Sequence, residues 1–192
     1  MGLMIGVGSY ASALKDDPGE AERIEHQLAS INSVLRDMGL LEHVEPVELE
    51  RLNNRSAFDS LRYSAIYQLR ELYVDFTLEN GSNSCSEGAL SESHLVCHSD
   101  YNGFYLPIKF NRVIADENRI PGTWLGSSYE LMSELIYVAP ALGIKLEDGV
   151  MTDDIADELN YDREYSDELI AWIALFEAAR LSVEHNTAII FS

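Results

Sequence analysis

Cations are scarce in this chain. Thirteen lysines and arginines stand against 33 aspartates and glutamates in 192 residues, a formal charge of −20. Such a deficit disfavours nucleic-acid phosphates and anionic membrane surfaces, because cationic contacts dominate binding to both. Neither is therefore expected as a partner. Cysteine is scarcer still: Cys85 and Cys97 are the only two, too few for a disulfide framework at this length, and a reducing cytoplasm is the expected setting. No apolar run reaches the roughly 18 residues of a membrane-spanning helix. Residues 1–7 are apolar, but no basic residue precedes them and Lys15, Asp16 and Asp17 follow soon after, unlike a signal peptide. Proline-rich linkers and internal repeats are missing as well, so residues 1–192 are expected to form a single globular domain.

What is abundant is acid, and it is uneven. Residues 1–80 hold 14 acids and 7 bases, residues 81–145 hold 7 and 4, and residues 146–192 hold 12 and 2. Half of the net charge therefore falls in the last quarter. The field favours a basic partner, while a plainer reading has the acids solubilise the protein and cap its helices.

Periodicity supplies the coarse fold. A short strand is expected at residues 2–9; its Gly6-Val7-Gly8 lacks the third glycine and the immediate helix of a dinucleotide loop. Asp17-Pro18-Gly19-Glu20 reads as an N-cap, a first-turn proline and an acid three residues after the cap. Ala21, Ile24, Leu28, Ile31, Leu35 and Met38 then form an apolar stripe that Gly39 ends. A second helix is expected from Ser56, with Asp59 as its capping partner, to Tyr73, and a loop over residues 80–92. Ser127 and Glu130 form a capping box for a third helix carrying Leu131, Leu135 and Val138, closed by Pro140 and Gly143. That box accounts for the neighbourhood of Ser128 without a nucleophile or an anion site. An acidic helix near 152–160, a long helix near 166–184 and a buried strand over 187–191 complete the chain.

The segment His94-Leu95-Val96-Cys97-His98-Ser99-Asp100 concentrates chemistry-bearing side chains before Asn102-Gly103, a two-residue type I′ turn signal. As a hairpin it sorts into an apolar face (Leu95, Cys97, Ser99, Tyr101, Phe104, Leu106, Ile108, Phe110) and a polar one (His94, Val96, His98, Asp100, Tyr105, Pro107, Lys109). On a strand His94 and His98 lie about 13 Å apart, too far to share a metal. Cys97 is expected as a small core residue. The fold reading is α+β: a small, mainly antiparallel sheet with this central hairpin, covered by about four or five helices.

The Met-Gly-x-x-Ile-x-Val-Gly start, the His-Ser-Asp-x-x-Gly-Phe-Tyr-x-Pro segment, Leu125-Gly126-Ser127-Ser128 and the helix Ala174-Leu175-Phe176-Glu177-Ala178-Ala179-Arg180-Leu181-Ser182 resemble an uncharacterised family of small bacterial proteins over nearly the whole chain. That resemblance implies a single domain and carries no established activity. By size and acidity alone, the chain also resembles bacterial toxin-immunity proteins.

The leading expectation is accordingly a cytoplasmic, non-enzymatic inhibitor that occludes a basic partner such as a toxin by shape and charge. Its contacts are placed on Glu147, Asp148, Asp153, Asp154, Asp157, Glu158, Asp162 and Glu164, with Tyr161 and Tyr165 as aromatic anchors. The alternative is a small hydrolase or metal-dependent enzyme using His98 and Asp100, assisted by Tyr105 or Lys109. A third reading is a structural subunit without a charged partner. No cofactor or metal is expected under the leading reading, and the sequence leaves oligomeric state open.

Overall fold

The computed structural model describes residues 2–58, 60–81 and 83–192. A six-stranded sheet runs in the order β2-β1-β6-β3-β5-β4, built from β1 (Leu3–Val7), β2 (Ser60–Leu61), β3 (Gly103–Leu106), β4 (Ile114–Ala115), β5 (Trp124–Ser127) and β6 (Ile189–Phe191). β3 and β5 are parallel, and every other neighbouring pair is antiparallel. The α+β class and the mainly antiparallel sheet are as expected. The described helices exceed the expected number: α1 (Ser9–Asp16), α2 (Pro18–Asp37), α3 (Tyr63–Asn80), α4 (Asn83–Glu92), α5 (His94–Cys97), α6 (Ser128–Val138), α7 (Asp153–Asp157) and α8 (Asp167–His185).

Strand alternation divides the interior into two cores. Phe104, Leu106 and Leu125 join Ile24, Leu28, Ile31 and Leu35 of α2 in one. Tyr105, Ile189 and Phe191 join α3, α6 and α8 in the other. α2 starts where its capping signal lies: the Asp17 carboxylate accepts from the Gly19 and Glu20 amides, both at 3.1 Å. α8 is buried on nearly every side, the mark of a central helix. Its Trp172 donates to the Leu135 carbonyl of α6 at 2.8 Å. Ser182 donates to the Thr187 carbonyl (2.6 Å), so the Ser128 hydroxyl donates to Ser182 (2.7 Å) in a fully buried chain.

The expected hairpin at Asn102-Gly103 does not form. Residues 94–97 are helical, capped by Ser93, whose Oγ accepts from the Val96 amide (3.0 Å). β3 instead pairs with β6 (Phe104 opposite Ile190) and β5 (Phe104 opposite Leu125). Two long-range partners outweigh one local one. Gly103 has φ +115°, and Asn102 does not share a positive φ, whereas a type I′ turn requires both. Asp148-Gly149 does meet this rule, with φ of 51° and 78°, and its flanking Glu147 and Val150 exchange backbone bonds of 3.0 and 2.9 Å.

The helix expected from Ser56 begins at Tyr63, because Ser56 closes a turn with the Phe58 amide (3.1 Å) and Ser60 and Leu61 pair with β1. The loop expected over 80–92 contains α4. Asp59 and Ser82, and the side chain of Cys85, lie outside the described residues. Among the described residues, no helix is long and apolar enough to cross a membrane.

Candidate functional site

The acidic segment is two-sided. Met151, Ala156, Leu159 and Asn160 are buried, while Glu147, Asp148, Asp153, Asp154, Asp157, Glu158, Asp162 and Glu164 are all exposed. Thr152 starts α7 by accepting from the Ile155 amide (3.4 Å), and a turn of wider π geometry, Glu158–Asp162, continues it. The three- and four-residue spacing of the apolar set turns one side inward, so the carboxylates occupy the other. Tyr161 is 74% exposed and Tyr165 is 47% exposed, the latter meeting Phe58 edge-on at 5.4 Å.

Buried polar groups fix this segment to the loop before β2. The Asn160 side chain accepts from the Ala57 amide (3.0 Å) and donates to the Arg55 carbonyl (2.8 Å) and the Ala156 carbonyl (2.7 Å). Arg55 binds Asp153 (3.3 Å) and the Met151 carbonyl on one side and Glu177 of α8 (2.7 Å) on the other. Glu177 also receives Arg180 at 2.9 Å. Burial pushes the Glu177 pKa up, but the hydrogen bonds from Arg180 and Arg55 outweigh it and hold the carboxyl below its usual range.

Most of the cations are spent internally. Every arginine among the described residues except Arg51 meets a carboxylate or a backbone carbonyl, and Lys109 lies 5.1 Å from the centre of the Tyr129 ring. Within residues 147–164 the one cation is Arg163, which donates to the Leu142 carbonyl (3.1 Å). Of the eight acids there, only Asp153 forms an ion pair among the described residues. The rest face water unneutralised.

A second acidic array escaped the sequence reading. Tyr63, Tyr67, Glu71, Asp75 and Glu79 recur every four residues along α3 and all are exposed. They lie two residues out of phase with the buried Ala65, Leu69, Tyr73 and Thr77, on the opposite side of the helix. The four-residue recurrence was a usable signal, masked by the expectation that this helix began at Ser56.

Of the enzyme candidates, His98 and Tyr105 lie in the core and Asp100 and Lys109 do not. His98 is 3% exposed and stacks on Tyr105 with ring centres 4.1 Å apart. Its ring nitrogens face the Ser99 and Phe104 carbonyls at 3.0 and 3.1 Å, and burial holds its pKa down to about 4. The neutral ring has one N–H, so it donates to one of the two carbonyls. Tyr105 is buried and donates to the His94 carbonyl (2.9 Å); Asp100 is half-buried and Lys109 exposed on Tyr129. The polar face expected to be open instead buries both histidines. His94 accepts from the Ser127 amide at 2.8 Å. Among the described residues, no cluster of three or more histidine, cysteine or carboxylate side chains is placed to hold a metal. Cys97 is half-buried rather than fully in the core, and its thiol donates to the Leu90 carbonyl (3.4 Å).

Neither a curated protein nor a solved structure matches this chain. A family model does, over residues 1–86 and 77–191, and its description corrects the expected partner. A DNA mimic carries negative charge to stand in DNA's place, which overturns both the toxin-immunity reading and the expectation that nucleic acid has no bearing on this protein. The chain belongs to the family described as "Putative DNA-mimic protein".

Proposed function

We propose that the protein is a DNA decoy: its acidic segment at residues 147–164 occupies the cationic surface with which a DNA-binding protein holds the phosphate backbone. The observation that carries this is charge density. The unpaired Asp154, Asp157, Glu158 and Asp162 span eight helical steps, about 12 Å, or one carboxylate per ~3 Å of axis. One strand of B-DNA carries a phosphate per about 3.4 Å. The clamp formed by Arg55 and Asn160 supports the reading by fixing that array in advance, so that little ordering cost falls on binding. A basic target in the cytoplasm and a chain that works as one unit fit the same reading.

The test couples capture to competition. Proteins retained on the immobilised chain and identified as DNA-binding are released by double-stranded DNA, and their binding weakens with salt. The combined variant D154N/D157N/E158Q/D162N binds an identified target at least ~30-fold more weakly and with a shallower salt dependence. Retained proteins indifferent to DNA, or unchanged binding by that variant, would overturn the proposal.

A further inference from the structure

Charge alone makes a decoy that salt and DNA itself displace easily, and a second surface answers this weakness. Met38, Leu41, Val44 and Val47 recur every three residues and are 55, 80, 77 and 60% exposed. Four large aliphatic side chains facing water within ten residues is a feature that needs a reason.

Their backbone is not a loose loop. Asn32 of α2 brackets His43, donating to its carbonyl (2.8 Å) and accepting from its amide (2.7 Å). His43 and Glu45 are buried against each other at 2.5 Å. Glu45 in turn accepts from the Thr187 hydroxyl and from the Ala188 amide (2.8 Å), beside the start of β6. Arg36 holds Glu42 through two bonds of 2.9 and 2.8 Å, and Asn186 donates to the Val44 carbonyl (3.3 Å). The His43 and Glu45 side chains therefore turn inward and anchor the segment, and the aliphatic ones are held outward.

We infer that this ridge is an apolar anchor for the same DNA-binding partner, and the inference rests on the decoy reading above. Its charged frame selects the occupant. Glu42, Glu48 and Glu50 are exposed among the aliphatic residues, and of the two cations in residues 36–51 Arg36 is already paired to Glu42. A second copy, itself at −20, would bring like charges together across the ridge. A basic protein with aliphatic side chains beside its cations fits both features. Apolar contacts add affinity that salt does not screen and that DNA cannot match, since hydrophobic burial is insensitive to ionic screening.

Two synthetic peptides of equal charge and length test this, one of leucine and lysine and one of serine and lysine, titrated into the isotope-labelled full chain. The leucine peptide binds at least ~10-fold more tightly, shifts the amides of residues 38–50, and keeps that advantage at 0.5 M salt. The variant L41S/V44S/V47S, all surface positions, removes the advantage and leaves the salt-sensitive response at residues 147–164 intact. Equal affinity of the two peptides, or shifts that bypass residues 38–50, would overturn the anchor while sparing the decoy. A dimer in sedimentation that the triple variant dissociates would overturn it in favour of self-association. Loss of the response at 147–164 with the anchor response retained would count against the decoy instead.

Discussion

Replacing Glu177 with glutamine removes one charge from the centre of a buried ion network while keeping the side chain's shape. Its carboxylate is 0% exposed and receives the Arg55 amide at 2.9 Å, the Arg55 guanidinium at 2.7 Å and that of Arg180 at 2.9 Å. Deleting one partner of a buried pair costs about 3–5 kcal/mol. Here Arg55 keeps Asp153 and the Met151 carbonyl, and Arg180 keeps Glu184 and the Asn53 carbonyl. The loss is therefore expected at the lower end, about 3 kcal/mol. In urea denaturation with a slope of about 2 kcal/mol per molar, the midpoint falls by ~1.5 M. The sign with pH is fixed as well. A depressed carboxyl stabilises the fold above its unfolded value, near 4.5, and that stability is lost as pH falls through the folded value. The gap between wild type and E177Q is accordingly full at neutral pH and narrows in acid. A loss under about 1 kcal/mol at neutral pH, or a gap that persists unchanged in acid, would refute this account of the clamp.

Three further outcomes are expected. Glu134 accepts from the His94 amide, the Leu95 amide and the Ser93 hydroxyl, yet burial raises its pKa to about 7; stability should decline by about 3 kcal/mol between its unfolded value and neutrality, and denaturation curves of E134Q that keep the wild-type slope with pH would contradict it. Asn160→Ala leaves the Ala57 amide and two carbonyls without their partner, a loss of about 2–3 kcal/mol that appears in hydrogen exchange as faster opening of residues 53–57. Gly103→Ala brings a methyl to 2.7 Å from the Trp124 carbonyl and 2.9 Å from the His98 ring at φ +115°; we expect more than ~3 kcal/mol of destabilisation, and thermal melting within a few degrees of wild type would argue against close packing there.

Elements whose causes are local were legible in the sequence. Asp17, Pro18 and Glu20 mark the start of α2 within a few residues of one another, and Ser127 does the same for α6. The charge of residues 147–164 was equally visible, because no tertiary contact is needed to know that eight carboxylates lie there with one arginine. The segment from His94 to Phe110 misled because its alternation satisfies a hairpin, while what decides its fate is distant: Glu134 at the start of α5, and β5 and β6 on either side of β3. Glu177 belongs to a helix that was read correctly, but its partner Arg55 is 122 positions away, beyond the reach of any spacing rule. The partner class was misjudged for a different reason. Negative charge repels nucleic acid, and the same charge suits a protein to take its place.

β6 sits third in the sheet, flanked by β1 and β3, although it is the last of the six strands to be synthesised. During translation the carboxylates of residues 147–164 leave the ribosome before Glu177 and before the strand that joins the two halves of the sheet. Until those residues have been added, the Arg55 clamp lacks its Glu177 partner and β1 and β3 lack the strand between them. On the decoy reading proposed above, the fixed array of carboxylates therefore comes into being only once this central strand has been added.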